Sequence, residues 1–164
     1  MSDDGFQHLF ETEYVYVCRS LQRLGVREAD VPDIAQELFI IVHRELVHYD
    51  RTRPVRPWLV AFVVRLAANY RKLRRHLYEQ GDDVDASPAP GTDDATATRD
   101  LVLRALDALD DEKRTVLVLF DLEGFDWREV AEMIGVPPNT AYSRLRLARE
   151  AFRAFVARRS EGEG

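Results

Sequence analysis

Apolar side chains recur at three- and four-residue steps along most of this chain, a spacing that predicts amphipathic helices. The first stripe consists of Phe6, Phe10, Tyr14, Val17 and Leu21, and Gly25 is expected to end that helix. No stretch alternates apolar and polar residues over a useful length, so no strand is predicted. The pattern therefore predicts an all-α fold.

Two more helical patterns follow in the first half. In the segment DVPDIAQELFIIVHREL, Asp30 is expected to cap and Pro32 to lie in the first turn. Its apolar stripe is Ile34, Leu38, Ile41 and Val42. The next helix is expected to begin after Pro57, with an apolar side made of Leu59, Phe62, Leu66, Leu73 and Leu77.

The segment from 79 to 98 breaks the helical pattern. It reads EQGDDVDASPAPGTDDATAT, with prolines, glycines, many acids and almost nothing apolar. Such a composition buries too little surface to offset the entropy of ordering the chain. We therefore predict a flexible acidic linker at 79–98 between an N-terminal domain, 1–78, and a C-terminal domain, 99–160.

The C-terminal domain is also predicted to be helical and to end in a helix-turn-helix. Asp126 and Glu129 match a capping box, Gly135 is expected to end that helix, and Pro138 fits the first turn of the next. The inward stripe of the last helix is Ala141, Leu145, Ala148, Phe152 and Phe155. A helix, a tight glycine turn and a second amphipathic helix form this motif.

The outward face of the last helix carries small polar groups first and arginines further along. Its members are Asn139, Tyr142, Ser143, Arg146 and Arg149, with Thr140 and Arg144 at the margins. A recognition helix in a DNA major groove uses this order of residues. The alternative is a solvated face of ion pairs, but Glu150 is the one acid between Asn139 and Arg159. We therefore expect this face to bind DNA.

A second basic stretch runs from Arg65 to Arg75. The helix macrodipole favours cations near a helix C-terminus, which accounts for one or two of them but not for the whole group. A surface that faces phosphates is the better interpretation. Tyr70 and Trp58 could stack on bases, although Trp58 fits a core position at least as well.

Composition and charge restrict the remaining classes of function. The formal net charge is -6 over 164 residues, which argues against indiscriminate binding to nucleic acid. The single cysteine, Cys18, excludes an internal disulfide, and the acidic N-terminus lacks the basic region of a secretory signal, so we expect a cytoplasmic protein. No apolar run reaches the roughly 20 residues of a membrane helix, so no membrane insertion is expected.

An enzyme is the first competing class. Asp33, Glu37, His43 and His48 are metal-ligand types, but their spacing does not place the first three on one helical face. No glycine-rich phosphate loop, nucleophile elbow or CxxC motif is present. We therefore expect no catalytic residues, no metal and no cofactor.

Over nearly its whole length, the chain resembles the extracytoplasmic-function (ECF) sigma factors of bacterial RNA polymerase. DVPDIAQELFIIVHR is similar to the polymerase-binding helix of that family, RPWLVAFVVRLAANYRKLRRH to its minus-ten helix, and the segment from Leu106 to Glu150 to its minus-thirty-five domain. All three blocks occur in order and at the expected separation. The family usually has a basic residue at the positions of Tyr142 and Leu147, and arginine at that of Val64.

The resemblance implies a set of contact residues. Polymerase binding would use Asp33, Gln36, Glu37 and Phe39. An unpaired minus-ten strand would be held by Arg65, Asn69, Tyr70, Arg71, Lys72, Arg74 and Arg75. The minus-thirty-five element would be read by Asn139, Thr140, Tyr142, Ser143, Arg144, Arg146 and Arg149.

The resemblance also implies partners. These are core RNA polymerase and promoter DNA, and members of this group are often held by an anti-sigma protein. The competing interpretation is a polymerase-independent helix-turn-helix regulator, which would usually dimerise on two half-sites.

Overall fold

The computed structural model describes residues 3–81 and 93–162, and the regular elements in these ranges are all helical. They are α1 (Asp3–Arg23), α2 (Val31–Glu45), α3 (Val55–Glu79), α4 (Asp94–Asp107), α5 (Asp111–Leu117), α6 (Trp127–Ile134) and α7 (Pro138–Gly162). The all-α prediction is confirmed. The chain divides into two compact units, Met1–His76 and Leu77–Gly164, and the domain bounds 1–78 and 99–160 stay predictions.

The first unit is built on the contact between α1 and α2, and α3 adds buried residues to its core. Leu21, Leu38 and Val63 each come from a different helix and are fully buried. Burying one such side chain contributes about 1.5–3 kcal/mol before entropy is counted. The predicted inner positions of α1 and α2 lie partly in this core, because Val17, Leu21, Leu38 and Val42 have no exposed surface.

A buried acid joins α1 to the start of α3. Glu13 is only 6% exposed, and its Oε2 accepts a hydrogen bond from Nε of Arg56 at 3.0 Å. The guanidinium of Arg56 also lies over the ring of Tyr16, 4.3 Å from its centroid. A buried carboxylate needs such a partner, because removing its counterion leaves an uncompensated charge.

The second unit is organised around α7, which packs against α4, α5 and α6. Ala141, Leu145 and Ala148 of the predicted inward stripe are buried, whereas Phe152 and Phe155 are half-buried. Two alanines in the stripe let the neighbouring helices approach closely. The N-terminal half of α7 is thus held in place by its buried inner face, and its outer face remains exposed.

Two features of the second unit were outside the sequence prediction. Arg114 is buried, and its Nη1 lies 2.6 Å from Oδ1 of Asp107. After α5, a π-helical turn over Val118–Leu122 precedes Gly124, whose φ is 76°. Leu122, the last residue of this turn, is 39% exposed.

The helix-turn-helix corner matches its prediction closely. Asp126 accepts hydrogen bonds from the backbone N–H groups of Arg128 and Glu129, and Glu129 Oε2 accepts from the Asp126 N–H, which completes the capping box. Gly135 ends α6 at φ 69°, a conformation that costs other residues roughly 1–2 kcal/mol. Pro138 is the first residue of α7.

Two predicted helix starts need correction. Asp30 precedes α2, but its side chain makes no capping hydrogen bond; the carboxylate is engaged by α3 instead. The third helix begins at Val55 rather than after Pro57. Proline is tolerated there because the N–H groups of the first helical turn have no intrahelical partner.

Helices extend into both ends of the segment predicted to be a linker. Glu79 is the last residue of α3, and residues 94–98 lie in α4. The α4 helix begins there because the side chain of Asp93 accepts a hydrogen bond from the backbone N–H of Thr96. The central part of the predicted linker, 82–92, lies outside the described residues.

Replacing Asp126 by alanine tests the helix-turn-helix corner. We expect Asp126→Ala to lower the free energy of unfolding by about 1 kcal/mol, since two capping hydrogen bonds are lost. Urea unfolding followed by circular dichroism measures the change. Glu132→Ala, an exposed acid in the same helix, serves as the matched control, and equal effects of the two variants would contradict the capping role.

Candidate functional site

The exposed face of α7 carries the first predicted set of contact residues. Asn139, Tyr142, Ser143 and Arg146 are exposed, and Tyr142 reaches 64% exposure. Arg146 pairs with Glu150 one turn further along, at 3.1 Å, and both side chains remain about 60% exposed. Such a surface pair is worth about 0–1 kcal/mol, so it does not prevent Arg146 from engaging another anion. Thr140 is half-buried at the margin.

Arg144 and Arg149 have acidic partners that lie far away in the sequence. Arg149 donates from Nε and Nη2 to the two carboxylate oxygens of Asp121, at 2.9 and 2.6 Å. Arg144 Nη2 lies 3.3 Å from Glu112 Oε1. Hydrogen bonding to Asp121 raises the pKa of Arg149 above its ordinary value.

The expectation that this helix has too few acids is therefore corrected. Glu150 is indeed the one acid between Asn139 and Arg159, but α5 and the π turn supply carboxylates to Arg144 and Arg149. The face that points outward carries small polar residues, Tyr142 and Arg146, together with Glu150, which pairs with Arg146. Arg144 and Arg149 border that face with their guanidinium groups held in place.

The basic stretch of α3 divides into two sets. Arg65, Asn69, Lys72 and Arg75 are exposed, and Arg65 lies 5.3 Å from the ring centroid of Phe62. At 3.6 residues per turn, or roughly 100° per residue, Arg65, Asn69 and Lys72 share one side of the helix. This side presents a continuous polar and basic surface.

Tyr70, Arg71 and Arg74 lie on the other side of α3 and contact the turn before α2. The Tyr70 hydroxyl donates to Oδ2 of Asp30, and Arg71 Nη1 donates to the backbone carbonyl of Leu24. Arg74 Nη1 lies 3.7 Å from the same Asp30 oxygen. The sequence placed these residues with the DNA contacts because it shows their charge but not their direction.

The predicted polymerase-binding residues of α2 also divide. Asp33, Gln36 and Glu37 are exposed, whereas Phe39 is only 3% exposed. The ring of Phe39 packs between α1 and α2, 4.8 Å from the ring centroid of Phe10 and 6.4 Å from that of Phe6. Phe39 is therefore a buried packing residue of α2, and Asp33, Gln36 and Glu37 lie on the exposed surface of that helix.

Ile40 was not among the predicted contact residues. This side chain is 49% exposed and lies on the same side of α2 as Asp33 and Glu37. It borders an open apolar groove of about 610 Å³ between α1 and α2, whose lining includes Phe6, Phe10, Gln36 and His43. An isoleucine on a helical face that is otherwise polar is the sequence signal that could have identified Ile40 as an exposed surface residue.

Within the described residues, the structure contains neither a metal-binding group nor a membrane-spanning helix. No group of three or more histidine, cysteine, aspartate or glutamate side chains there is arranged to hold a metal ion. Asp33, Glu37, His43 and His48, the ligand types noted in the sequence, form no such group; the ring of His43 packs edge-on against Phe6 at 4.7 Å. In residues 3–81 and 93–162, none of the helices has the length and apolarity to cross a membrane.

Known proteins match a part of the C-terminal unit and, separately, most of the chain. Residues 99–152 match the family described as Sigma-70, region 4. The ECF RNA polymerase sigma-E factor of Escherichia coli K12 is 29% identical over 164 positions, which cover 88% of this chain and 83% of the relative. The ECF RNA polymerase sigma factor SigE of Mycolicibacterium smegmatis is 29% identical, over 88% of this chain and 58% of the relative.

Solved structures share the fold. The sigma factor RpoE in complex with the anti-sigma factor NepR from Bartonella quintana aligns with a TM-score of 0.72 at 19% identity, over 93% of this chain and 97% of that one. CnrH in complex with the cytosolic domain of CnrY aligns with a TM-score of 0.68 at 23% identity, over 95% and 90%. The region 4 match and the ECF relatives show that this chain is similar to the extracytoplasmic-function sigma factors of RNA polymerase over most of its length.

Proposed function

We propose that this chain is a sigma factor of the ECF group, which binds core RNA polymerase through α2 and engages its promoter through two surfaces on different units. The observation that carries the proposal is the outer face of α7, which follows a helix-turn-helix corner and presents polar groups and Arg146 to solvent. An inner stripe buries the opposite side of the same helix, so this face is free to enter a groove of DNA.

The upstream contact would use α7. In a recognition helix the first turns reach base edges, and Asn139, Tyr142 and Ser143 occupy these turns. Arg146 follows one turn later, where a guanidinium can reach guanine or a phosphate. Thr140, Arg144 and Arg149 border this surface, and the latter two are held by Glu112 and Asp121.

The downstream contact would use the exposed side of α3. Arg65, Lys72 and Arg75 provide positive charge along a single-stranded backbone, and Asn69 provides an amide for a base edge. Unstacking a base costs a few kcal/mol, so the free energy of the other contacts must help. Tethering both units in one chain makes the second contact intramolecular.

The polymerase contact would use the exposed side of α2. Asp33, Gln36 and Glu37 provide carboxylates and an amide for basic groups, and Ile40 adds apolar surface at the centre of the same side. A polar rim around an apolar centre is the usual arrangement of a protein interface. Phe39 keeps α2 seated on α1 beneath it.

We further infer that the chain acts by binding and not by catalysis, without a cofactor, in the cytoplasm. An anti-sigma protein is a proposed partner, because both structural neighbours were solved as complexes, one with the anti-sigma factor NepR and one with the cytosolic domain of CnrY. Run-off transcription with purified core enzyme tests the function directly. Initiation at a specific start site supports it, whereas a polymerase-independent regulator would add no initiation to core enzyme alone.

Arg146→Ala tests the upstream surface. We expect the variant to weaken upstream promoter binding by about 1–3 kcal/mol if Arg146 contacts a base, measured by footprinting with the holoenzyme. Arg158→Ala removes the same charge from an exposed position further along α7 and is the control. If the two variants weaken binding equally, Arg146 contributes general electrostatic attraction to DNA and does not contact a base.

Asp121→Asn tests whether the paired arginine is held back from DNA. Without the carboxylate, Arg149 lacks its internal counterion and can acquire a phosphate. We expect tighter binding to non-specific duplex and a salt slope steeper by about 1, measured by titrating sodium chloride. Glu132→Gln serves as a control for the loss of one negative charge, and an unchanged slope in Asp121→Asn would contradict the expectation.

Glu37→Ala tests the polymerase surface. We expect a weaker holoenzyme, by about 1–2 kcal/mol, because a charge-assisted contact to a basic group is lost. Fluorescence anisotropy of labelled protein titrated with core enzyme measures the affinity. Glu45→Ala, an exposed acid at the other end of α2, should leave the affinity within twofold; a smaller effect for Glu37→Ala than for this control would exclude the assigned surface.

A further inference from the structure

One carboxylate connects the helix proposed to bind polymerase with the helix proposed to hold the DNA strand. Asp30 immediately precedes α2, yet its Oδ2 accepts from the hydroxyl of Tyr70 in the middle of α3, 40 residues later in the chain. Arg74 approaches the same oxygen at 3.7 Å. The turn between α1 and α2 is therefore held directly by α3.

Tyr70 is the centre of this contact. Its hydroxyl donates to Asp30 and also accepts from the backbone N–H of Arg27 at 3.4 Å, while Arg74 Nη1 lies 3.4 Å from the same hydroxyl oxygen. Burial and the hydrogen bond to Asp30 raise the pKa of Tyr70 above its ordinary value. The phenol consequently keeps its proton at neutral pH and remains a donor.

The position of Asp30 makes the contact informative. An aspartate directly before a helix usually accepts from the first backbone N–H groups, and losing that cap costs about 0.5–2 kcal/mol. Here no capping bond forms, although the residue type and position suit one. The carboxylate is used to fix α3 instead of to start α2.

The contact also determines which way α3 faces. At roughly 100° per residue, Tyr70 and Arg74 lie on the side of α3 opposite to Arg65 and Lys72. Any rotation of α3 about its axis that broke the Asp30 contact would turn the exposed basic residues by the same angle. A hydrogen bond on one side thus sets the direction of the surface on the other.

We propose that Asp30, through Tyr70, is a positioning residue that aligns the exposed basic side of α3 with the unpaired promoter strand relative to the polymerase-bound α2. The proposal rests on the proposed function. It reassigns Tyr70 and Arg74 from the strand-contact set to the positioning set, and it leaves direct contact to Arg65, Asn69, Lys72 and Arg75.

The test uses holoenzymes assembled from the full chain with Asp30→Ala, Tyr70→Phe or both. Permanganate reactivity of unpaired thymines measures strand opening at a promoter from which the wild-type holoenzyme initiates, and anisotropy measures core affinity. We expect each single variant to reduce opening by about fivefold, the usual effect of one lost hydrogen bond. The double variant should be no worse than Asp30→Ala, since both changes remove one interaction.

Two further variants separate positioning from general damage. Glu28→Ala removes an exposed acid from the same turn and should leave opening within twofold of wild type. Asp30→Asn keeps an oxygen that accepts from Tyr70 and should recover most of the opening, because the largely solvated pair with Arg74 contributes about 0–1 kcal/mol. All of these variants should bind core enzyme with wild-type affinity within about twofold.

Several outcomes would overturn the proposal. The proposal fails if Asp30→Ala opens the promoter as well as Glu28→Ala does, or if Tyr70→Phe opens it as well as the wild type does. It also fails if core affinity and opening are lost in parallel. If Asp30→Ala unfolds, Tyr70→Phe still decides, because it keeps the ring and removes only the hydroxyl. If wild-type protein fails to initiate with core enzyme, the proposed function fails; if Lys72→Ala loses opening while Tyr70→Phe does not, only the positioning role fails.

Discussion

The pairing of arginines on one helix with carboxylates on another is the constraint on which both basic surfaces depend. Arg74 with Asp30, Arg144 with Glu112, and Arg149 with Asp121 each join elements that are separate in the chain. Exposed pairs of this kind add little stability, about 0–1 kcal/mol each. Their effect is directional: they hold one part of the positive charge against the protein and thereby define the part that faces outward.

The same constraint reconciles an acidic chain with two cationic surfaces. The net charge of -6 is an average over the whole sequence, and a local field depends on where the charges lie. Acids such as Asp121 and Glu112 lie behind the arginines of α7, not on its outer face. A polyanion that approaches the outer face of α7 therefore meets fewer carboxylates than the net charge of the chain suggests.

Aromatic packing plays the corresponding part for α2. The rings of Phe6, Phe10 and Tyr14 surround Phe39 and seat α2 on α1, so that the acidic residues of α2 face solvent together with Ile40. Because α3 is held to the turn before α2 through Asp30, the exposed sides of α2 and α3 are linked by a direct contact within the first unit.

The sequence by itself determined the features that depend on neighbours three or four residues away. The capping box of Asp126 and Glu129, the left-handed Gly135 and the buried stripe of Ala141, Leu145 and Ala148 were all predicted, because their hydrogen bonds and periodicity are local. The family resemblance added the expected function of the three sequence segments that carry it. The local sequence pattern also indicated which charged residues belong to the two basic helices.

Only the tertiary structure decided where those charges point. Arg149 and Asp121 are 28 residues apart and Tyr70 and Asp30 are 40 apart, so no window of local sequence contains either pair. The same holds for Asp30, which local rules assign to a helix cap and which the fold gives to α3. Local hydrogen bonds follow from residue order, whereas the partner of a long charged side chain depends on which helices pack side by side.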